Sequence, residues 1–198
     1  MSDDTTQPSA PPRAKAKILD ALKRAERAVF TRPAPKSARA QMKFLLTRAK
    51  GSSKAVATGL GVSRSTVERY LSGASKRPQK RLQAALVEET EAQWQPQVRA
   101  QARQRAATSG GLVISCRAYF GFTANGSSDE GRVKDIITAV SPFHAAQILQ
   151  EMEAGATDED LQPLLAEAIT WSYFQEGGTT RKGLRADFTE VEWLEIKY

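Results

Sequence analysis

The spacing of apolar positions changes once along this chain. Up to about residue 107 they recur three and four apart, as in helices with one covered face. Beyond Gly110-Gly111 they first alternate, as in a strand with one covered face. Residues 13–30 set Ile18, Leu22, Ala25 and Val29 on one stripe, predicting a basic amphipathic helix with Lys15, Lys17, Lys23, Arg24 and Arg27 on its polar side. Arg32-Pro33-Ala34-Pro35-Lys36 interrupts it, because proline removes a donor and disfavours helix in the residue before it. Ser37 is placed to cap a helix to about Lys50, with Met42, Leu45 and Leu46 turned inward. Two short helices follow in residues 53–72, where Val56, Leu60, Val62, Tyr70 and Leu71 can share a small core. Residues 79–107 are helical again, broken or kinked at Pro96, with Leu86 and Trp94 available for packing.

In the second half Leu112, Ile114, Cys116, Ala118, Phe120 and Phe122 alternate on one face of a long strand. A loop from Thr123 to Gly131 leads to a second strand, Val133 to Val140. Ser141, an N-cap, and Pro142, at the first helical position, open a helix to about Ala154, with His144 at the surface in its first turn. Gly155 ends that helix, and Thr157-Asp158-Glu159-Asp160 starts another that runs toward Phe174. After Gly177-Gly178 and a basic Arg181-Lys182 loop, Leu184 to Ile196 alternates as a final strand. The pattern predicts an α+β protein: an all-α N-terminal domain, then a β-β-α-α-β domain with an antiparallel sheet. The expected divisions are a disordered Pro/Ser/Thr-rich tail at 1–12, a basic helical domain at 13–107 and an acidic α+β domain at 108–198.

Charge sharpens that division. The 198 residues carry a net +7, but residues 1–105 hold 22 Lys/Arg against 8 Asp/Glu, and residues 106–198 hold 7 against 14. The basic half can neutralise phosphates and release their counterions, whereas the acidic half would repel a nucleic-acid backbone. No apolar run approaches the ~18 residues of a membrane span, and the first residues lack the apolar core of a secretory signal. Cys116 is the single cysteine, which excludes an internal disulfide and argues against zinc. His144 is the single histidine, and nothing near it resembles a nucleophile elbow. No intrinsic metal or other cofactor is expected, nor a membrane partner, and the expected location is the cytoplasm.

Residues 53–72 read as a helix-turn-helix, the motif that puts its second helix in the major groove of DNA. Ala57 is small enough for close helix approach, Gly61 can turn with positive φ, and Val67 is an apolar plug on the second helix. Ser63 stands at the N-cap position, so the exposed start of the second helix carries Arg64, Ser65, Thr66 and, one turn later, Arg69. These four, with Ser63, are the expected contacts to bases and phosphates. Lys76, Arg77, Lys80 and Arg81 follow in a basic segment suited to the phosphate backbone. An ordinary helix hairpin with a glycine turn is the plainer reading.

The chain also resembles, over about residues 28–198, the telomere terminal proteins of linear actinomycete replicons, the Tpg family. The residues that carry the resemblance are Thr31-Arg32-Pro33-Ala34-Pro35-Lys36-Ser37, Ala40-Gln41-Met42, Ala49-Lys50-Gly51, Gly61-Val62-Ser63 with Thr66-Val67-Glu68-Arg69-Tyr70, and Trp94-Gln95-Pro96. It continues through Ala107-Thr108-Ser109-Gly110-Gly111, Phe120-Gly121-Phe122-Thr123-Ala124, Ala154-Gly155-Ala156-Thr157 and Tyr173-Phe174. The resemblance implies a protein primer that binds telomeric DNA, offers a side-chain hydroxyl to the first nucleotide and stays joined to the 5′ end. It implies as partners a telomere-associated protein and a DNA polymerase, which brings its own divalent metal. It also implies residence on the nucleoid at DNA ends. A homodimer stays open.

Priming asks for a hydroxyl on an exposed, movable segment. The Thr123–Gly131 loop offers Thr123, Ser127 and Ser128 among small residues. The resemblance places the acceptor at a hydroxyl pair before an acidic pair, here Ser127-Ser128 before Asp129-Glu130, so the order of preference is Ser128, Ser127, Thr123. A solvated turn explains the same composition, and Tyr119 is a weaker candidate because strand tyrosines usually pack. The competing reading of the whole chain is a transcriptional regulator with a C-terminal dimerisation or ligand-sensing half, acting at a palindromic operator.

Overall fold

The structure, a computed structural model, describes residues 18–123, 132–175 and 185–198, without the side chains of 122, 123, 132, 174, 175 and 185–189. In chain order the elements are α1 (Ile18–Ala28), α2 (Ala38–Arg48), α3 (Ser53–Leu60), α4 (Arg64–Ser72), α5 (Lys80–Gln93), α6 (Pro96–Arg105), β1 (Leu112–Thr123), β2 (Arg132–Val140), α7 (Pro142–Ala154), α8 (Asp158–Ile169) and β3 (Arg185–Lys197). π-helical turns continue α6 over Ala106–Gly110 and α8 over Thr170–Gln175. The protein is thus α+β, with one three-stranded antiparallel sheet of order β2-β1-β3. Among the described residues no helix is long and apolar enough to cross a membrane.

The chain divides into two compact units. Phe30–Ala100 is one; residues up to Val29 join Gln101–Tyr198 in the other. The sequence pattern places the division at 107/108 and groups the first helix with the basic half. Packing places α1 with the sheet. Ile18, Ala21, Leu22 and Ala25 are buried in the same core as Ile114, Phe120, Leu161, Leu165, Leu194 and Ile196. Burying a side chain such as Leu22 contributes about 1.5–3 kcal/mol. Polar ties fix the register of α1. Asp158 accepts the Leu19 N–H at 2.8 Å, satisfying a donor that the helix start leaves free, and Arg24 donates to the Leu194 carbonyl at 2.9 Å. Glu26, also buried, meets Arg103 at 2.9 Å, and Arg103 lies 3.1 Å from Glu153 as well. A basic amphipathic stripe tells which face is covered but not by what. That is why the pattern misassigned this helix.

Alternation in β1 has the predicted result: Leu112, Ile114, Cys116, Ala118 and Phe120 are buried. Burial pushes the Cys116 thiol up to about 12, with Asp135 adding to the effect. On the opposite face Arg117 sits between Asp135, at 2.9 Å, and Glu192, at 3.0 Å. Gly111 enters the strand with φ +68, and a Cβ there would stand 1.9 Å from the Val140 carbonyl oxygen, so no other residue fits. Thr157 and Asp160 form a reciprocal capping box on α8, and the Thr157 N–H and hydroxyl hold the Asp160 carboxyl below its usual range.

His144 departs from the surface role expected of it. It is buried, 5.3 Å from the Phe143 ring and 6.2 Å from that of Trp171, and its Nδ1 lies 3.1 Å from the Ser141 hydroxyl. Ser141 therefore stands at the N-cap position without capping the backbone. The exposed member of the pair is Phe143. The first turn of α7 is rotated so that the imidazole, which carries its own polar partner, goes inward.

Candidate nucleic-acid interface

Phe30–Ala100 has its own core: Ala38, Met42, Leu45, Val56, Ala57, Leu60, Val67, Tyr70 and Leu86. Trp94 packs edge-on to Phe44 at 5.1 Å, donates to the Arg32 carbonyl at 3.0 Å and has the Arg32 guanidinium over its ring at 5.8 Å. The unit contains 14 Lys/Arg and 4 Asp/Glu, while the remainder of the sequence contains 15 and 18. Moving the boundary to 30 and 100 leaves the unit strongly basic at net +10 and makes the rest only mildly acidic.

Each step of the α3–α4 pair follows from local sequence. Ser52 caps α3 by accepting the Ala55 N–H. At its end Gly61 turns at φ 64, with Val62 N–H bonded to Ala57 O at 3.0 Å and Gly61 N–H to Thr58 O at 3.2 Å, a Schellman ending. Val67 is fully buried and Ala57 is buried in the same small core, and the chain turns between the two helices within three residues. Ser63 caps α4 by accepting the Thr66 N–H at 3.2 Å.

The site residues read from sequence fall into three groups. Ser63, Ser65 and Thr66 form one hydroxyl cluster, with Ser63 Oγ at 2.9 Å from Ser65 Oγ and 2.8 Å from Thr66 Oγ1. Arg64 is exposed but paired with Glu68 at 2.8 Å, so meeting an anion there means exchanging one partner for another. Arg69, Arg77 and Arg81 line, with Thr66, a single cleft of about 500 Å³. Lys76 and Lys80 are exposed outside its lining. The Tyr70 hydroxyl donates to the Arg77 carbonyl at 3.4 Å, and Ser75 N–H bonds Arg69 O at 3.1 Å, which hold the basic segment against α4. Arg39 on α2 donates to Leu71 O at 3.0 Å, steadying the other end of α4.

Sequence reasoning missed the other lining residues of that cleft: Leu60, Gly61, Val62, Tyr70, Ser75, Gln79 and Leu82. A signal was present. Pro78 precedes a helix whose first turn, Lys80-Arg81, has two cations, no acid and no side-chain cap. Of the acceptor candidates, Ser127 and Ser128 lie outside the described residues. Thr123 is the last residue of β1, in register with Arg185, and so belongs to the strand and not to the loop expected there. Among the described residues no group of three or more His, Cys, Asp or Glu is placed to hold a metal. No protein-family model, curated protein or solved structure matches this chain.

Proposed function

We propose that this protein binds duplex DNA through Phe30–Ala100, with α3 and α4 acting as a helix-turn-helix and α4 entering the major groove. One observation carries the reading. The start of α4 is exposed and acid-free, and it presents Arg64, Ser65, Thr66 and Arg69 from a unit of net charge +10. A helix start of this kind offers N–H groups, hydroxyls and guanidinium forks to phosphates and base edges. Lys76, Arg77, Lys80 and Arg81 supply backbone contacts.

The resemblance to terminal proteins extends the proposal to protein priming at the ends of linear replicons. A hydroxyl of Ser128, Ser127 or Thr123 attacks the α-phosphate of the first deoxynucleotide. Pyrophosphate leaves, and the protein stays esterified to the 5′ end. The polymerase partner provides the metal ions that activate the hydroxyl and neutralise the leaving group. The chain is then a substrate and not an enzyme. Telomeric DNA, a telomere-associated protein and the polymerase are its partners at the nucleoid.

The test is incubation of the protein with labelled deoxynucleotide, cognate polymerase and telomere-associated protein. Label should survive SDS and high salt, be released by protease, and be lost in the Ser127→Ala, Ser128→Ala double variant. Labelling undiminished in that variant moves the acceptor to Thr123 or Tyr119. Specific binding to a palindrome, with no covalent label under any condition, favours the transcriptional regulator.

A further inference from the structure

The cleft beside α4 carries more positive charge than one internal DNA phosphate calls for. Arg69, Arg77 and Arg81 all line it, and among the described residues none of the three guanidinium groups has a carboxylate or other hydrogen-bond acceptor as partner. Arg64, one turn before Arg69, has such a partner in Glu68. The start of α5 contributes Gln79, Arg81 and Leu82 to the same lining. This fourteen-residue helix opens with no side-chain cap and no acid in its first turn, so its unbonded N–H groups and the positive end of its dipole add to the guanidinium charge. Cations at a helix N-terminus oppose that dipole, and an anion in the cleft would relieve the conflict.

The rest of the lining is not that of a pure anion trap. Leu60, Val62, Tyr70 and Leu82 make an apolar wall, and Thr66, Ser75 and Gln79 add neutral hydrogen-bonding groups. The volume, about 500 Å³, falls within the range of roughly 300–1,000 Å³ occupied by small-molecule sites. A phosphomonoester carries about −1.5 to −2 at neutral pH, as against −1 for an internal diester, and so matches three guanidinium groups better.

We propose that this cleft is a nucleotide site. The phosphomonoester lies among Arg69, Arg77, Arg81 and the start of α5, and the base lies against Leu60, Val62 and Leu82. The two sources of such a group are the 5′-phosphorylated end of a DNA strand and a free mononucleotide. The choice of a nucleotide over another phosphate ester rests on the DNA-binding reading.

Calorimetry on the full chain with deoxyadenosine monophosphate, deoxyadenosine and inorganic phosphate tests the site. Fluorescence titration with two duplexes, identical except for a 5′-phosphate or 5′-hydroxyl, tests the source. The monophosphate should bind more tightly than inorganic phosphate, and the nucleoside should not bind. The exposed pair Arg77→Ala, Arg81→Ala should weaken the monophosphate by about tenfold or more, with an intermediate loss for Arg77→Lys, Arg81→Lys, which keeps charge but not the fork. A preference for the phosphorylated duplex identifies the strand end as source, and equal duplex affinities identify the free nucleotide. A monophosphate no tighter than inorganic phosphate, or bound equally by the alanine variant, overturns the site. The pair Arg64→Ala, Ser65→Ala separates the two readings, since it should weaken both duplexes and leave monophosphate binding intact. Duplex binding without monophosphate binding rejects the site alone. Monophosphate binding by a protein that binds no duplex rejects the DNA-binding reading and leaves the site standing.

Discussion

The helices of the two units begin differently. In Phe30–Ala100 none of α2, α3, α4 and α5 has an acid in its first turn, and Arg39, Lys54, Arg64 and Lys80-Arg81 stand there. In the sheet-containing unit α1 begins with Asp20 and α8 with Asp158, Glu159 and Asp160, while α7 begins with neither an acid nor a lysine or arginine. A charge near a helix end interacts with the macrodipole by typically 0.3–1 kcal/mol. Acids at the start of α8 stabilise it in isolation, and cations at four starts in the basic unit do the reverse. The difference teaches where each unit finds its electrostatic complement. The sheet unit finds it internally, as where Asp158 receives the Leu19 N–H. In the first turns of its four helices the basic unit supplies none.

The most severe way to break the comparison is to damage one unit and watch the other. Gly111→Ala drives a Cβ onto the Val140 carbonyl at a positive φ, and it should cost about 4 kcal/mol or more in denaturant unfolding. DNA affinity should survive in whatever fraction of Phe30–Ala100 remains folded, read by titration at a temperature where the sheet core has melted. Loss of both together would show that the units are not independent. Salt sharpens the comparison next. If about five cations of the basic unit neutralise phosphates, log K against log[salt] should slope at roughly −4 to −5, and a slope near zero removes the electrostatic reading. Single substitutions come third. Arg64→Ala and Arg69→Ala should each weaken specific binding by about 1–3 kcal/mol, measured at moderate salt. Arg64→Ala should do less of the two, because Glu68 already competes for that guanidinium. If neither variant weakens binding, α4 is not the recognition helix.

The last effect vanishes at neutral pH and is confined to alkaline solution and to the sheet unit. Cys116 keeps its proton to about pH 12 in the folded chain, against an ordinary thiol value of 9.0. Between those values the unfolded chain has lost a proton that the folded chain retains. Stability should therefore be unaffected below about 9 and fall as pH rises toward 12. Urea midpoints along that range check it, and a Cys116→Ser variant should flatten the decline. Alkylation of the thiol at neutral pH should follow unfolding, since the side chain is buried.

How much was legible depends on the range of the physics involved. Capping and turning act within a few residues, so Ser37, Ser63, Gly61, Gly155 and Thr157 announced the helix limits where they stand. Alternation from Leu112 to Phe120 announced the covered face of β1 for the same reason. The place of α1 was not legible, because its amphipathic stripe is satisfied by any core and its partner Leu194 lies 170 residues away. The burial of His144 was hidden too. Its neighbours include Trp171, which lies beyond the end of α8 and 27 residues along the chain, out of reach of any local pattern. The cleft was half legible: the cations of residues 76–81 are plain in the sequence, but their shared lining with Leu60 and Tyr70 needs the fold of α3 and α4.

Arg24 and its acceptor at Leu194 also set a timetable. At ribosomal rates of about 5–20 residues per second, roughly ten to thirty seconds separate the synthesis of the two ends of that bond. Phe30–Ala100 is complete within this interval and can close on its own contacts. Throughout it, Ile18, Leu22 and Ala25 are apolar surface on a nascent chain whose sheet has not been made. The basic unit thus has all its own contacts available first, while the segment made earliest waits for the one made last. Nascent chains stalled before β3 should present α1 to chaperones and proteases, and release of the full chain should withdraw it.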